Sequence, residues 1–494
     1  MYKVKFISVA VMLATATTAM AGGILTNTNQ SVEFLKNPAR DAAIGLDGVY
    51  SNPAGVVFMP EGFHLAINWQ YAHQTRTVRS TNPLFALGKK NDGKTSKTFE
   101  GIADAPFIPS VQAAYNTGNW SIQFNFSIPG GGGVCEFEKG LGSFESAVGM
   151  IAKQLEPLGA QGYDVDAYMR GRQYYFGFQL GAAYKINEHL SVYGGLRALY
   201  GNASYKARLS NIQVNTQGGY VNFDTFLNNA VSNINKQLGQ AELATQMGVY
   251  TQEQYAAAKA KADAALEQLA PLQKYSLGVN LMSNQTGIGI APVIGVDYKV
   301  GAFNFAAKYE FNTQMKMKNN STLEKAMEVE AVNKFQDGTK VDEDAPALLT
   351  VGAQWSVIPS VRVNAGYHHY FDTKANWYNH SEKLLDGDTN EYLAGAEWDI
   401  NEKFNISAGG QITRYQLTDD YMNDMSFVVN SYSFGFGVSY KPTKNIKVTA
   451  AYFQTNYEDY DKVTMADPST KATIVGDSFT RTNRVLGLGA EFTF

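Results

Sequence analysis

Cysteine is almost missing from this chain. Cys135 is the only one among 494 residues, so no intramolecular disulfide can form and a disulfide-stapled secreted module is excluded. Charge is scarce as well. Asp, Glu, Lys and Arg make up 17% of the residues, against roughly 25% in an ordinary soluble protein. The formal net charge is −4, which excludes a nucleic-acid binder with a basic face. Long apolar runs are also lacking. The uncharged stretch at residues 275–296 carries Ser276, Asn280, Ser283, Asn284, Gln285, Thr286 and Pro292, too polar for a helix in hydrocarbon. What the chain does have is 46 glycines and 13% aromatic residues. With a mean hydropathy of −0.24, its polarity comes from uncharged Asn, Gln, Ser, Thr and Gly.

The N-terminus reads as an export signal. Lys3 and Lys5 precede an apolar stretch at 6–16, and Ala19, Met20 and Ala21 supply a small-x-small cleavage site. The apolar run is shorter than the roughly 18 to 20 residues of a spanning helix, so residues 1–21 are expected to be a signal peptide. An exported chain without a spanning helix is either soluble or a β-barrel, the other structure that satisfies its whole backbone in a bilayer.

Alternation favours the barrel. Residues 119–128 place Trp120, Ile122, Phe124, Phe126 and Ile128 on one face and Asn119, Ser121, Gln123, Asn125 and Ser127 on the other. The segments 62–72, 402–413 and 432–440 repeat the pattern, which is the lipid-out, lumen-in period of a membrane strand. Short turn signals near 116–119, 186–188, 301, 358–360, 401–403 and 442–445 interleave with longer connections at 81–104, 132–171, 210–285, 317–345, 376–390, 418–430 and 461–478. Six short turns between seven long loops predict fourteen strands. The final run Leu486, Leu488, Ala490, Phe492 and Phe494 ends on an aromatic residue, the kind of signal read by the barrel-insertion machinery. The fold class expected is therefore all-β: a transmembrane antiparallel barrel over 62–494.

Residues 22–61 do not alternate. They hold Asn37, Pro38, Gly45 and Gly48 and the run Asn52, Pro53, Ala54, Gly55, a compact irregular segment. Irregular backbone at membrane depth is tolerated inside a lumen, so 22–61 is expected to plug the barrel. Helices are expected in two loop insertions, near 143–157 and 223–271. Phe144, Val148, Ile151 and Leu155 have helical spacing up to Pro157, and Thr251 to Gln254 reads as a capping box opening a helix that runs to Pro271. Their apolar faces either cap the barrel or offer a docking groove for a greasy ligand.

Signal peptide, plug with Asn52-Pro53-Ala54, about fourteen strands and terminal Phe494 together resemble the FadL family of outer-membrane transporters for long-chain fatty acids and other hydrophobic compounds, which includes the TodX-like aromatic-hydrocarbon channels. The resemblance spans the whole mature chain. It implies capture of ligand by outer loops, a pocket against the plug and sideways escape beside a kink in the third strand. That strand ends here in Pro129, Gly130, Gly131, Gly132 and Gly133, where ladder pairing is expected to fail. This run is either a lateral gate or simply a strand end leading into a loop.

A fatty carboxylate needs a cation in an otherwise apolar pocket. By strand parity Arg197, Lys308 and Arg362 point into the lumen, where each either meets ligand or pairs with an inward acid such as Glu310, Glu397 or Glu491. Other chemistry is thin. Cys135 has no metal spacing, His368 and His369 face opposite sides of one strand, and no nucleophile elbow or phosphate loop occurs. No enzyme activity, metal, cofactor or nucleic-acid partner is expected. The expected partners are a fatty acid-like hydrophobic molecule, outer-membrane lipid and, through Phe494, the insertion machinery, with the chain acting as a monomer in the outer membrane of a Gram-negative bacterium. A general porin and a surface-binding protein or adhesin are the alternatives.

Overall fold

The computed structural model describes residues 28–276, 278–324, 330–470 and 472–494; the expected signal peptide lies outside them. Eighteen strands occur among the described residues: β1 (Gly62–Thr81), β2 (Ser96–Thr117), β3 (Trp120–Phe137), β4 (Gly162–Lys185), β5 (Leu190–Thr216), β6 (Gly219–Asn222), β7 (Val279–Val300), β8 (Phe303–Glu310), β9 (Lys316–Glu324), β10 (Lys340–Asp342), β11 (Leu348–Ile358), β12 (Val361–Tyr370), β13 (Thr389–Asp399), β14 (Phe404–Arg414), β15 (Ser431–Thr443), β16 (Ile446–Tyr457), β17 (Tyr460–Ala466) and β18 (Thr473–Thr493). The short strands β6, β9, β10 and β17 extend the long-loop end. The other fourteen pair antiparallel, each with its neighbour, and β1 closes on β18 from His64 opposite Thr493 to Thr81 opposite Gly476. The sheet thus has no free edge, the condition for a strand structure in lipid.

The wall is inside out relative to a soluble protein. On β3 the outward Trp120, Ile122 and Phe124 are 52%, 55% and 38% exposed, while the inward Ser121, Gln123 and Asn125 are buried. Outward apolar side chains recur on the other wall strands, forming a lipid-facing surface. Near the short turns, ring pairs such as Trp120 with Tyr184 at 4.7 Å and Phe404 with Tyr440 at 4.8 Å between centroids make an aromatic girdle.

The strands reach further at the long-loop end than alternation predicts. β3 runs on to Phe137, β4 begins at Gly162, β5 reaches Thr216 and β1 reaches Thr81, so much of the expected loops is strand. Beyond the lipid band the outward positions, Thr75, Thr77 and Arg79 on β1, need not be apolar, and the pattern that marks a strand fades while the backbone ladder continues. Helices Gly142–Gln154, Phe223–Gln246 and Gln252–Ser276 cover this end. The capping box forms: Thr251 N–H donates to Gln254 Oε1 at 2.8 Å, and Gln254 N–H donates to Thr251 Oγ1 at 3.2 Å. The last helix does not stop at Pro271 but continues to Ser276. Leu269 and Leu272 on either side of the proline are buried against Phe223, Phe226 and Ile151, and that packing overrides the local break. The face carrying Phe144, Val148, Ile151 and Leu155 is buried in the same way, so it caps the barrel rather than lying open. Exposed apolar residues gather at the tip of the helical hairpin: Leu243, Met247, Val249 and Tyr250.

Residues 28–61 fill the short-turn half of the lumen. The plug helix Val32–Lys36 is capped by Ser31, whose side chain accepts from Phe34 N–H. Its Val32, Phe34 and Leu35 pack on Ala72, Ala451, Phe453 and Val485 of the wall. Further along, Leu46, Val49 and Val56 pack on Ala66 and Ala114. Glycine in the wall permits this fit. A Cβ on Gly435 would lie 2.0 Å from the Leu35 carbonyl oxygen, and one on Gly395 2.0 Å from Asn37 Oδ1.

The candidate ligand passage: plug, cavity and wall opening

The segment Asn52, Pro53, Ala54, Gly55 bolts the plug to three strands. Asn52 Nδ2 donates to Asp297 Oδ2 of β7 at 2.6 Å, while Asn52 Oδ1 accepts from Gly55 N–H at 3.2 Å and closes the turn. The Pro53 carbonyl accepts from Gln123 of β3 at 2.7 Å, and that of Ala54 from Ser191 of β5 at 2.6 Å. At Gly55 a Cβ would meet Asn52 Nδ2 at 2.4 Å and Asp297 Oδ2 at 2.9 Å, so a side chain there would displace the Asn52–Asp297 bond.

Ion pairs complete the anchorage. Arg40 of the plug binds Asp47 at 2.8 Å and also Glu397 of β13. Lys36 binds Glu33 and donates to Asn405 and Ser439, each at 2.8 Å. Asp41 meets His368 Nε2 at 2.9 Å, and the other nitrogen of that ring faces Glu391 at 2.8 Å. His369 lies on the opposite face, 3.4 Å from Asp388. Of the two fates open to the three inward cations, the structure shows pairing with acids. Arg197 and Lys308 share Glu310, and Lys308 donates to the Tyr50 carbonyl at 2.8 Å. Arg362 spans Glu397 and Asp399. Buried charges are tolerable when paired in this manner.

Above the plug lies a cavity of about 210 Å³. Phe34, Ile128, Phe453 and Val485 give it an apolar side; Arg76, Gln173, Arg481 and Asn483 give it a polar one. Part of its border is where the wall itself lapses. Between β2 and β3 the register runs Asp104 opposite Val134 and resumes only at Val111 opposite Phe126. Residues 105–110 and 127–133 therefore have no ladder partners across this seam. Prolines explain much of the lapse: Pro106 and Pro109 on β2 and Pro129 on β3 carry no N–H to donate. On the other side of β3, pairing with β4 is irregular from Ser127 through Gly130 to Gly133. Gly131 and Gly133 have φ of +91° and +79°, and a Cβ on Gly131 would lie 2.2 Å from the Gln173 carbonyl oxygen.

Gln30 of the plug takes the place of the missing strand partner. Its side-chain amide donates to the Ile128 carbonyl at 3.2 Å and accepts from Ile128 N–H at 3.1 Å, as a paired residue in a ladder would. Its own carbonyl accepts from Ser110 of β2. One plug residue thus bridges β2 and β3 across the lapse in pairing. Sequence reading missed this latch, and it missed Pro106 and Pro109, although the run Ala105-Pro106-Phe107-Ile108-Pro109 is a visible break in a strand. It also missed Arg76 and Arg481, which sit on strand extensions beyond the alternating pattern.

No protein-family model matches the chain, and no curated relative is found by sequence. Solved structures do match. A FadL homologue of Pseudomonas aeruginosa aligns over 98% of both chains at 11% identity with a TM-score of 0.58. The toluene transporter TodX of Pseudomonas putida aligns over 91% of this chain and 94% of its own at 12% identity and a TM-score of 0.55. For the Ralstonia pickettii toluene transporter TbuX the figures are 95%, 100%, 14% and 0.52. At such low identity the likeness is one of backbone, and it extends over almost the entire chain. This chain therefore has the FadL and TodX fold.

Proposed function

We propose that the chain is an outer-membrane passive transporter of hydrophobic molecules such as long-chain fatty acids. The long-loop end faces outward, and the exposed apolar tip at Leu243, Met247 and Val249 supports capture there. Cargo passes to the cavity above the plug and leaves sideways between β2 and β3 into the membrane. The carrying observation is the coincidence of a cavity with an apolar side, a filled lumen beneath it and a lapse of backbone pairing beside it. A molecule that prefers hydrocarbon gains by leaving through the wall, since burial returns roughly 25 cal/mol per Å² of apolar surface. The ion pairs of Arg197, Lys308 and Arg362 support reading these residues as clamps on plug and wall. The resemblance to hydrocarbon and FadL-type channels in backbone supports the same assignment.

Replacement of Gly130 and Gly132 by Val tests the exit. Extended β-formers at these positions favour a continuous ladder, so uptake of a radiolabelled long-chain fatty acid by cells carrying the protein slows, while binding to the purified barrel is retained. Equal uptake rates would remove the lateral exit. Equal uptake after deletion of residues 28–50 would remove the role of the plug.

A further inference from the structure

The charges lining the cavity are unbalanced at one place. Arg76 of β1 and Arg481 of β18 are direct partners in the register that closes the barrel. Both point inward, on the parity of the buried Val78 and Phe479, and both line the cavity. Like charges directly opposite on one face are destabilising, and inward cations elsewhere in this lumen hold carboxylates. These two do not: among the described residues neither forms an ion pair. The nearby acids are engaged. Glu391, which shares the cavity, is taken by His368, Gln411 and Thr413, and Glu136 accepts from Tyr168. Arg481 lies over the Tyr457 ring, its Cζ 5.0 Å from the centroid, and reaches Gln74 at 3.4 Å. Buried Nε atoms of both arginines have no acceptor. A few residues along the same strands, Ala72 and Val485 turn the wall apolar against Phe34 and Phe453.

We propose that Arg76 and Arg481 together anchor the oxyanion headgroup of an amphiphile, a carboxylate or a phosphate monoester, with its apolar chain lying along Phe34, Phe453 and Val485. The guanidinium fork matches both headgroups in a bidentate manner, and an anion between the two removes their mutual repulsion. A neutral hydrocarbon offers the pair nothing to hold, so the site selects among hydrophobic cargoes. The inference rests on the transport reading above, because it places cargo in that cavity.

The test uses the full barrel purified in a maltoside detergent, with laurate, dodecyl phosphate and dodecanol as probes of equal chain length. Titration calorimetry gives affinity. Protection of Cys135, the chain's only thiol and part of the cavity lining, from a maleimide reports occupancy there. Wild-type protein binds at least one anion about tenfold or more tighter than dodecanol, and the ratio of laurate to dodecyl phosphate identifies the headgroup. The double variant R76Q/R481Q weakens that anion by about ten- to a hundredfold and leaves dodecanol within about threefold; R76K/R481K, which keeps charge but not the fork, falls between. Equal wild-type affinity for anions and alcohol overturns the anchor while leaving transport standing. Equal loss of all three probes in R76Q/R481Q assigns the arginines a packing role and also overturns it. Failure of every probe to protect Cys135 in wild-type protein overturns the transport reading along with the anchor. If the glutamine variant does not fold, the wild-type headgroup comparison decides alone.

Discussion

The latch formed by Gln30 can be cut without disturbing the plug's volume. Gln30→Leu is close to isosteric and keeps the backbone carbonyl that accepts from Ser110, but removes the two side-chain bonds to the N–H and C=O of Ile128, at 3.1 and 3.2 Å. A neutral hydrogen bond of this kind contributes ~1 kcal/mol net, so the two together hold the lip of β3 by about 2 kcal/mol. Local opening free energy falls by that amount and exchange of the amides around 128–133 accelerates about thirtyfold. Hydrogen–deuterium exchange with peptide-level mass spectrometry on the purified barrel measures this directly, with β13 and β14 as the internal reference. On the proposed exit route, uptake of hydrophobic substrate rises in the same variant, because the seam between β2 and β3 separates more often. Unchanged exchange at 128–133 would refute the idea that the plug holds the wall opening. So would acceleration spread evenly over all strands, which would signal general loss of stability.

Three other outcomes follow from the same geometry. Gly435→Val drives a side chain into the Leu35 carbonyl; overpacking of this kind costs about 1–3 kcal/mol, and the displaced plug raises ionic leak in planar bilayers, whereas unchanged conductance would count against the tight fit of plug to wall. Glu310→Gln leaves Arg197 and Lys308 without their shared acid, lowering stability by about 3–5 kcal/mol in urea unfolding from liposomes with ligand affinity held within about twofold; lost affinity at full stability would instead make these cations ligand contacts. At the long-loop end, burial and the neighbouring Asp477 push the Asp424 carboxyl up to about 6 from 3.8, and this group accepts from Ser143 N–H at 2.7 Å. A carboxyl whose folded value is raised stabilises the docked loop below its unfolded value and loses that contribution as pH climbs from about 4 through 6. Limited proteolysis within 418–430 therefore speeds up between pH 4 and pH 7, and a flat or opposite profile would refute the assignment.

The barrel was legible in the sequence because lipid enforces alternation. Where a strand crosses hydrocarbon, as at Trp120 to Phe126, every second residue must be apolar and the inward row polar or small. The same logic made Arg197, Lys308 and Arg362 recognisable as lumen residues, although their acid partners lie far away in sequence, Glu310 being 113 positions from Arg197. Legibility ended where lipid ended. Thr75, Arg76 and Thr77 belong to a ladder whose outer face meets water, so nothing in their order separates strand from loop. The plug was recognisable by its prolines and glycines but not its fastenings, since Gln30, Asn52 and Arg40 find partners through tertiary geometry. The helix through Pro271 shows the opposite error, in which a strong local signal yields to burial of Leu269 and Leu272.

Closure of β1 against β18 has a consequence for biogenesis. Eighteen consecutive residue pairs join the two strands, so the cylinder is complete only when β18, which follows the other wall strands in sequence, has paired with β1. Asn52 and Arg40 hold the stopper at residues 28–61 through Asp297 of β7 and Glu397 of β13, so it is fixed in place only as those strands come together around it.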